Sequence, residues 1–168
     1  CVQHTDEHFP SILAAEEVPV FIAGKKAAAV KNSGKAGNEE IILAADTIVV
    51  LDNDIIGKPA DEVHAVSTLM RLSGKRHRVI TGVVLLQGEK KVAFADVTEV
   101  EFHVLSKEQV AWYVQKYKPF DKAGAYAIQE WIGVVGIRSI KGDFYNVMGL
   151  PVSRVVQALA DWDVTTGR

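Results

Sequence analysis

The feature that most constrains the fold is an apolar run of twelve residues, IILAADTIVVLD, with one carboxylate, Asp46, at its centre. The length of the run and its β-branched residues predict a largely buried strand. A charge inside such a strand costs free energy unless the protein pairs it or uses it. Lys58 follows six residues after the run, between a glycine and a proline. Together the two side chains predict a carboxylate and a phosphate-binding ammonium group in one pocket, and therefore an enzyme acting on a phosphorylated substrate.

The composition narrows the class of protein. With 168 residues, 48% of them hydrophobic, the chain is long enough for one domain with a full core. The net charge of −2 argues against a general nucleic-acid binder, which normally has a concentrated basic surface. A single cysteine, Cys1, excludes an internal disulfide framework and is typical of a reducing compartment. No apolar stretch approaches the roughly 18 residues of a membrane span and no signal peptide is visible, so we expect a cytoplasmic protein with no membrane partner.

Strand-like and helix-like segments alternate along the chain without repeats. The patterns predict strands at Ile41–Leu51, Ile55–Ile56, Val79–Leu86, Glu99–Val104 and Val134–Ile140. They predict helices at Pro19–Lys31, Asp61–Ser73, Ser106–Tyr117 and Pro151–Ala160, with Asp61 as an N-cap and Ser106 opening a capping box. This order predicts an α/β fold: a mixed, twisted β-sheet flanked by helices, in a single domain over residues 1–168 with two lobes and a cleft.

Each residue of the first pair has two interpretations. Asp46 is either a general base or metal-binding carboxylate on the floor of a pocket, or a structural residue satisfied by backbone amides or solvent. Lys58 is either a phosphate ligand or a solvated turn lysine, and the second interpretation is favoured for an isolated Gly-Lys-Pro. Thr47 follows Asp46 directly, so a regular strand would point it to the opposite face, and a shared pocket would require a bulge.

Two further clusters have candidate ligands. The basic run Ser73–Arg78 could bind phosphate, although cations at a helix C-terminus are the more common interpretation. His4, Asp6, Glu7 and His8 place four potential metal ligands within five residues. No third cluster at metal-ligand spacing follows, so we do not expect a zinc site. One acidic residue contributing to a divalent ion held mainly by substrate phosphates fits better.

Two glycine-bearing segments lie in the second half of the chain. In DKAGAYAIQ, small residues would let a ligand approach the backbone, and the amide of Gln129 offers a donor and an acceptor to the edge of a base. The alternative is a tight turn packed on the core. The segment Gly142–Pro151 leads into the last predicted helix in the same manner, and its glycines and Asn146 could serve only to shape a loop.

Five segments, ADTIVVLDNDIIGKPADE, LSGKRHRVITGV, VTEVEFHVLS, DKAGAYAIQ and NVMGLP, together resemble the Maf family of nucleotide pyrophosphatases, once described as septum-formation inhibitors. They occur in the order and at the spacing of that family and cover almost the whole chain from Phe9 onward. The resemblance implies a Maf/inosine-triphosphatase-like fold. It also implies cleavage of nucleoside triphosphates to a monophosphate and pyrophosphate with a divalent cation, Mg²⁺ or Mn²⁺.

The resemblance also assigns catalytic positions. Asp46 matches the proton acceptor that activates water, and Lys58 matches a phosphate-binding lysine. Lys26, in IAGKKA, matches the lysine of a helical motif of the family. Glu7 resembles the acidic position that precedes a Phe-Pro or Tyr-Pro pair, here Phe9-Pro10.

Substrate choice is implied at two further positions, Thr47 and Gln129, and the form DKAGAYAIQ resembles the branch that cleaves dTTP and UTP. Two alternatives remain open. One is a housecleaning pyrophosphatase for purine or modified nucleotides, like the related inosine-triphosphate pyrophosphatases. The other is a non-catalytic nucleotide-binding regulator of cell division. The family also implies a possible homodimer.

The sequence departs from the family at two places. The family begins with a strand and a Ser-x-Ser-Pro-Arg-Arg loop whose side chains hold phosphates, and this segment is absent here. We therefore expect that a first strand and a phosphate-binding loop have been removed, and that a chain without them is impaired. The second departure is Asp143-Phe144, where the family commonly has Ser-Tyr. A negative charge there would be unfavourable beside phosphates unless it faces solvent or a metal.

Overall fold

The computed structural model describes residues 8–166, with side chains to Trp162, and divides them into strands and helices. The strands are β1 (Ile42–Leu51), β2 (Asp54–Ile56), β3 (Arg76–Gln87), β4 (Lys90–Phe102) and β5 (Ile137–Lys141). The helices are α1 (Glu17–Asn32), α2 (Glu62–Leu72), α3 (Lys107–Tyr117), α4 (Trp131–Gly136), α5 (Phe144–Met148) and α6 (Val152–Thr166). A single 3₁₀ turn, Ala123–Ala125, precedes α4. No helix in this part of the chain is long and apolar enough to cross a bilayer.

The strands form one sheet in the order β2–β1–β3–β4–β5. The predicted α/β class with flanking helices is confirmed. The pairing differs from the predicted mixed sheet, because each of the pairings between described strands is antiparallel. Two of these pairs are hairpins with two-residue loops, at Asp52-Asn53 and Gly88-Glu89. Loops of that length can join only antiparallel strands.

Helix α1 lies directly on one face of the sheet. Gly82 of β3 makes this close approach possible, since an added Cβ atom would lie 2.2 Å from the backbone nitrogen of Val20. Gly82 is also the residue opposite Asp46 in the pairing of β1 with β3. The predicted helix Pro19–Lys31 is therefore confirmed, and it crosses the sheet beside the carboxylate at the centre of β1.

The opposite face carries the larger core, to which α2 and α3 contribute. Both predicted caps are present: the carboxylate of Asp61 accepts a hydrogen bond from the backbone of His64 (2.8 Å), and Ser106 and Gln109 form the capping box. These caps satisfy amide groups that would otherwise lack partners at the start of each helix. The two helices bury a compact apolar set against the sheet, which includes Leu69, Leu72, Val100, Phe102, Val110 and Tyr113.

The prediction of a strand over Val134–Ile140 is wrong in its first half. Residues 131–136 form α4, and the strand begins only at Ile137. The run WIGVVGI is apolar and short, so its periodicity does not separate a helix from a strand. Val134 is 85% exposed, which shows that the run is not buried on all sides as its composition indicates. The short helix α5, also unpredicted, follows β5.

Candidate active site

A pocket of about 260 Å³ opens along one edge of β1 and contains four of the predicted site residues, Asp46, Thr47, Lys58 and Gln129. Among the described strands, β2 pairs only with the last three residues of β1, Val49–Leu51, so that the preceding residues line the pocket along their edge. Asp46 and Thr47 belong to opposite faces of the strand, as predicted. No bulge is needed for them to share the pocket, because the pocket follows the strand edge and the register with β3 continues unshifted.

Asp46, which lines the pocket, forms an ion pair with Lys26, which is not itself a lining residue. The Nζ atom of Lys26 lies 2.5 Å from Oδ1 of Asp46, and the two side chains are 26% and 11% exposed. Lys26 occupies the same face of α1 as Ile22, four residues earlier, which is buried against the sheet. The packing of α1 on Gly82 therefore positions the ammonium group over β1. The structure brings together two residues that are twenty positions apart in the chain.

The Gly-Lys-Pro segment is joined to the DKAGAYAIQ segment by their backbones. The amide of Gly124 donates a hydrogen bond to the carbonyl of Gly57 (3.3 Å), directly before Lys58. Gly124 has a φ of 71°, and a Cβ atom there would lie 3.0 Å from a methyl group of Val49. A glycine is therefore required for the chain to pass this close to β1. The exposed Lys58 side chain reaches the pocket from this junction.

Two charged residues of the pocket were not selected from the sequence. Asp121 and Lys122 both line it, and their side chains form an ion pair at 3.2 Å. They begin the same DKAGAYAIQ segment from which only Gln129 was chosen. The small residues that follow Asp121 and Lys122 could have indicated their role. They allow the segment to lie against β1, which brings its first two side chains to the pocket.

Thr47 is the end of a buried polar network beneath the pocket. Its hydroxyl lies 2.9 Å from that of Thr81, whose hydroxyl donates to the carbonyl of Asn146 (3.2 Å). Asn146 is fully buried, and its amide nitrogen donates to the hydroxyl of Thr98 (3.0 Å). The sequence left open whether Asn146 merely shapes a loop. Its contacts show that it anchors the NVMGLP segment to β3 and β4, beside the pocket.

The departure at Asp143 has a local explanation. Its carboxylate accepts a hydrogen bond from the backbone of Tyr145 (2.8 Å) and so caps α5. The side chain is not part of the pocket lining. A serine would fill the same capping position, so the added charge is used at a helix terminus instead of facing the pocket.

Both arginines of the basic run Ser73–Arg78 pair with carboxylates, so the structure does not support a phosphate site there. Arg76 pairs with Glu101 (3.1 Å), and Arg78 pairs with Glu16 (2.6 Å). Both arginines lie within β3, so they are not cations at the C-terminus of a helix, whereas α2 ends at Leu72, one residue before the predicted Ser73. Between them, His77 points into the core.

His77 supports the pocket wall from within the core. Its Nε2 atom lies 2.8 Å from the hydroxyl of Tyr126, which lines the pocket. Burial lowers the pKa of His77 to about 4, so the imidazole is neutral near pH 7. Burial also raises the pKa of the Tyr126 hydroxyl, which therefore keeps its proton. This contact cannot be predicted from the sequence, because a histidine between two arginines is typical of a basic surface.

The predicted metal ligands can be placed only in part. His4, Asp6 and Glu7 lie outside the described residues, and His8 is exposed. Within residues 8–162 there is no group of three or more histidine, cysteine or acidic side chains that could hold an ion. The pocket does contain two carboxylates, Asp46 and Asp121. Such a donor set suits Mg²⁺, which typically binds one or two carboxylates together with substrate phosphates and water.

Comparison with known proteins gives a consistent family match. A sequence model described as "Maf-like protein" matches residues 1–162. A protein of Phocaeicola vulgatus named dTTP/UTP pyrophosphatase is 50% identical over 154 residues, which are 92% of this chain and 79% of the relative. The proteins of the same name from Cytophaga hutchinsonii and Porphyromonas gingivalis are 47% and 42% identical. They match 94% and 93% of this chain, and 71% and 78% of their own lengths.

Proposed function

The chain belongs to the Maf family, and from this premise we propose that it is a nucleoside triphosphate pyrophosphatase that cleaves dTTP and UTP. The products are the nucleoside monophosphate and pyrophosphate. The observation that carries the proposal is the Lys26–Asp46 pair in a pocket that also contains Lys58 and Gln129. The carboxylate and the ammonium groups match the reacting phosphates of a nucleotide, and the amide of Gln129 matches its base.

In the proposed reaction, Asp46 accepts a proton from a water molecule while the oxygen of that water attacks the α-phosphorus. The bond between the α-phosphorus and its bridging oxygen then breaks, and the pyrophosphate leaves with the electron pair. Lys26 and Lys58 stabilise the negative charge on the phosphate oxygens. The contact with Lys26 also holds the Asp46 carboxylate in position on a rigid strand, which favours attack from a fixed direction.

Gln129 supplies base recognition in this proposal. Its amide has one acceptor and one donor group side by side. Thymine and uracil share a carbonyl and an N–H group on the pairing edge, whereas cytosine has the opposite pattern. One fixed amide therefore suits dTTP and UTP equally and rejects dCTP, because a mismatched polar group loses its hydrogen bond.

A divalent cation, Mg²⁺ or Mn²⁺, is part of the proposal. The carboxylates of Asp46 and Asp121 are the pocket groups that would hold it, together with the substrate phosphates. When bound, it would neutralise charge on the phosphate oxygens. We further propose a cytoplasmic location, on the basis of the single cysteine and the nucleotide substrates. The homodimer and the catalytic role of Glu7 stay predictions.

A substrate panel tests the proposal. The protein is assayed with dTTP, UTP, dCTP and ITP in the presence of Mg²⁺ or Mn²⁺, and the products are identified by phosphorus NMR. We expect pyrophosphate from dTTP and UTP, with kcat/KM at least about tenfold above that for dCTP and ITP. A preference for ITP would favour a purine housecleaning enzyme. Tight nucleotide binding without pyrophosphate release would favour a non-catalytic regulator.

A further inference from the structure

Gln129 lies at the boundary between two different surfaces. It lines the charged pocket with Asp46 and Lys58, and it also lines an adjoining apolar groove. Gln129 is exposed, although the four residues before it in the chain are buried. A nucleotide has the same division between an anionic end and an aromatic end. The groove is formed mainly by apolar side chains of Ile128, Val134, Ile137, Ile140 and Phe144.

One buried hydroxyl contacts residues on both sides of Gln129. Tyr113, on α3, is completely buried. Its hydroxyl accepts a hydrogen bond from the backbone amide of Ala127 (3.2 Å) and makes a short hydrogen bond to the carboxylate of Glu130. Ala127 precedes Gln129 by two residues and Glu130 follows it directly. We call these three residues, Tyr113, Ala127 and Glu130, the tyrosine clamp.

The direction of the hydrogen bonds in the clamp is fixed. Burial and the adjacent Glu130 carboxylate raise the pKa of the Tyr113 hydroxyl, which therefore keeps its proton. The amide of Ala127 can only donate and a carboxylate can only accept. The single phenolic proton is thus directed at Glu130, while the phenolic oxygen receives the amide. Removing the hydroxyl would leave a buried amide without its partner, which is costly.

We propose that Tyr113 and Glu130 are positioning residues that set base selectivity by fixing the position of Gln129 at the pocket. The inference rests on the proposed function and adds the element that controls its specificity. The carboxamide of Gln129 can distinguish the uracil pattern from the cytosine pattern only while it lies within hydrogen-bonding distance of the base. Selectivity therefore depends on where the backbone places the side chain of Gln129. Lys26 and Asp46 are positioned separately, by the packing of α1 on the sheet.

The test compares matched tyrosine variants of the full chain. Tyr113→Phe keeps the ring and removes the clamp hydroxyl. Tyr117→Phe removes a phenolic hydroxyl one turn further along α3, from a ring stacked on Tyr113 at 4.9 Å. We expect Tyr113→Phe to lower the ratio of kcat/KM for dTTP over dCTP about tenfold, mainly through a higher KM for dTTP. Tyr117→Phe should leave that ratio unchanged.

Glu130 provides the conservative rescue. Glu130→Gln retains an acceptor for the Tyr113 hydroxyl and should keep most of the selectivity, whereas Glu130→Ala should lose it to the same extent as Tyr113→Phe. Equal losses for dTTP and dCTP in a folded Tyr113→Phe protein would indicate a purely structural role and overturn the proposal. Wild-type kcat/KM for both substrates in Tyr113→Phe would overturn it as well.

The two proposals fail in distinguishable ways. If the wild-type protein releases no pyrophosphate from any nucleotide, the proposed function is wrong. The clamp is then tested by calorimetry, as the ratio of dTTP to dCTP affinity in wild type and Tyr113→Phe. A wild-type protein that binds neither nucleotide, or binds both with equal affinity, contradicts the clamp as a determinant of selectivity.

Discussion

The β1 side of the pocket and the side formed by residues 126–130 are held by opposite kinds of contact. On β1, the partly exposed charges of Lys26 and Asp46 form an ion pair. On the other side, the hydroxyl groups of Tyr113 and Tyr126 make hydrogen bonds in the core to a backbone amide and a neutral imidazole, and Tyr113 also contacts a carboxylate. A charged contact at the edge of a strand can be exchanged for a charged substrate. A buried neutral contact cannot be exchanged, because its partner would be left unsatisfied. The first arrangement suits chemistry and the second suits positioning.

The largest effect is expected from Asp46→Asn, which removes the charge on the β1 side and nearly preserves its shape. As a general base, Asp46 should account for a factor of about 100 or more in the turnover of dTTP. Asp54→Asn is the control, since Asp54 is an exposed carboxylate on β2 that pairs with Arg71. Turnover near the wild-type value for Asp46→Asn would show that Asp46 is not the general base.

The neutral side should be sensitive to acid through His77. In the unfolded chain this imidazole takes up a proton near pH 6.5, whereas in the folded protein it does so only near pH 4. The free energy of unfolding therefore decreases as the pH falls from 6.5 to 4, and it stops decreasing for this reason below pH 4. The shift corresponds to a loss of roughly 3 kcal/mol in the free energy of unfolding.

Urea titrations at several pH values measure this loss. His77→Phe should be less stable near pH 7 but should lack this part of the acid dependence. His103→Gln, at an exposed histidine, should keep it. An unchanged pH profile in His77→Phe would show that the imidazole is not held neutral.

Gly82→Ala tests whether the charged side depends on the packing of α1. The new methyl group would meet the backbone of Pro19 and Val20, so we expect the free energy of unfolding to fall by about 2 kcal/mol. Lys26 should move with the helix, and pyrophosphatase activity should fall further than stability alone explains. Gly24→Ala, within α1 and with its nearest outside atom at 3.9 Å, is the matched control and should gain up to about 1 kcal/mol. Equal activity in both variants would show that the Lys26–Asp46 ion pair does not depend on the packing of α1 against Gly82.

The smallest effect is expected from Asp54→Ala, which breaks an exposed ion pair with Arg71 far from the core. Chemical denaturation should show a change of about 0.5 kcal/mol, and less at high salt. A loss of several kcal/mol would mean that exposed charge pairs stabilise this fold. The Lys26–Asp46 pair would then have a structural explanation as well as a chemical one.

The charged residues of the site could be predicted from the sequence, whereas the neutral contacts that support it could not. Asp46, Lys58 and Lys26 are charged residues within short local sequence patterns. In the structure, Asp46 and Lys58 line the pocket and Lys26 pairs with Asp46. The helix caps at Asp61 and Ser106 are local for the same reason, since their partners lie three residues away.

The neutral contacts depend instead on distant residues. Tyr113 meets Ala127 across 14 positions, and His77 meets Tyr126 across 49. Buried aromatic residues at helical spacing normally indicate only a core, so nothing in the pattern separates a supporting hydroxyl from an ordinary packed ring. The prediction that the last strand begins at Val134 instead of Ile137 is wrong for a similar reason, since the position of α4 follows from tertiary packing of a short apolar run.

The most direct test of the proposed chemistry is hydrolysis of dTTP in water enriched in ¹⁸O, with mass analysis of both products. Attack of water on the α-phosphorus predicts one ¹⁸O atom in the phosphate of thymidine monophosphate and none in the pyrophosphate. Label in the pyrophosphate would place the attack on the β-phosphorus. Release of labelled inorganic phosphate with a nucleoside diphosphate would place it on the γ-phosphorus. Either result would contradict the account.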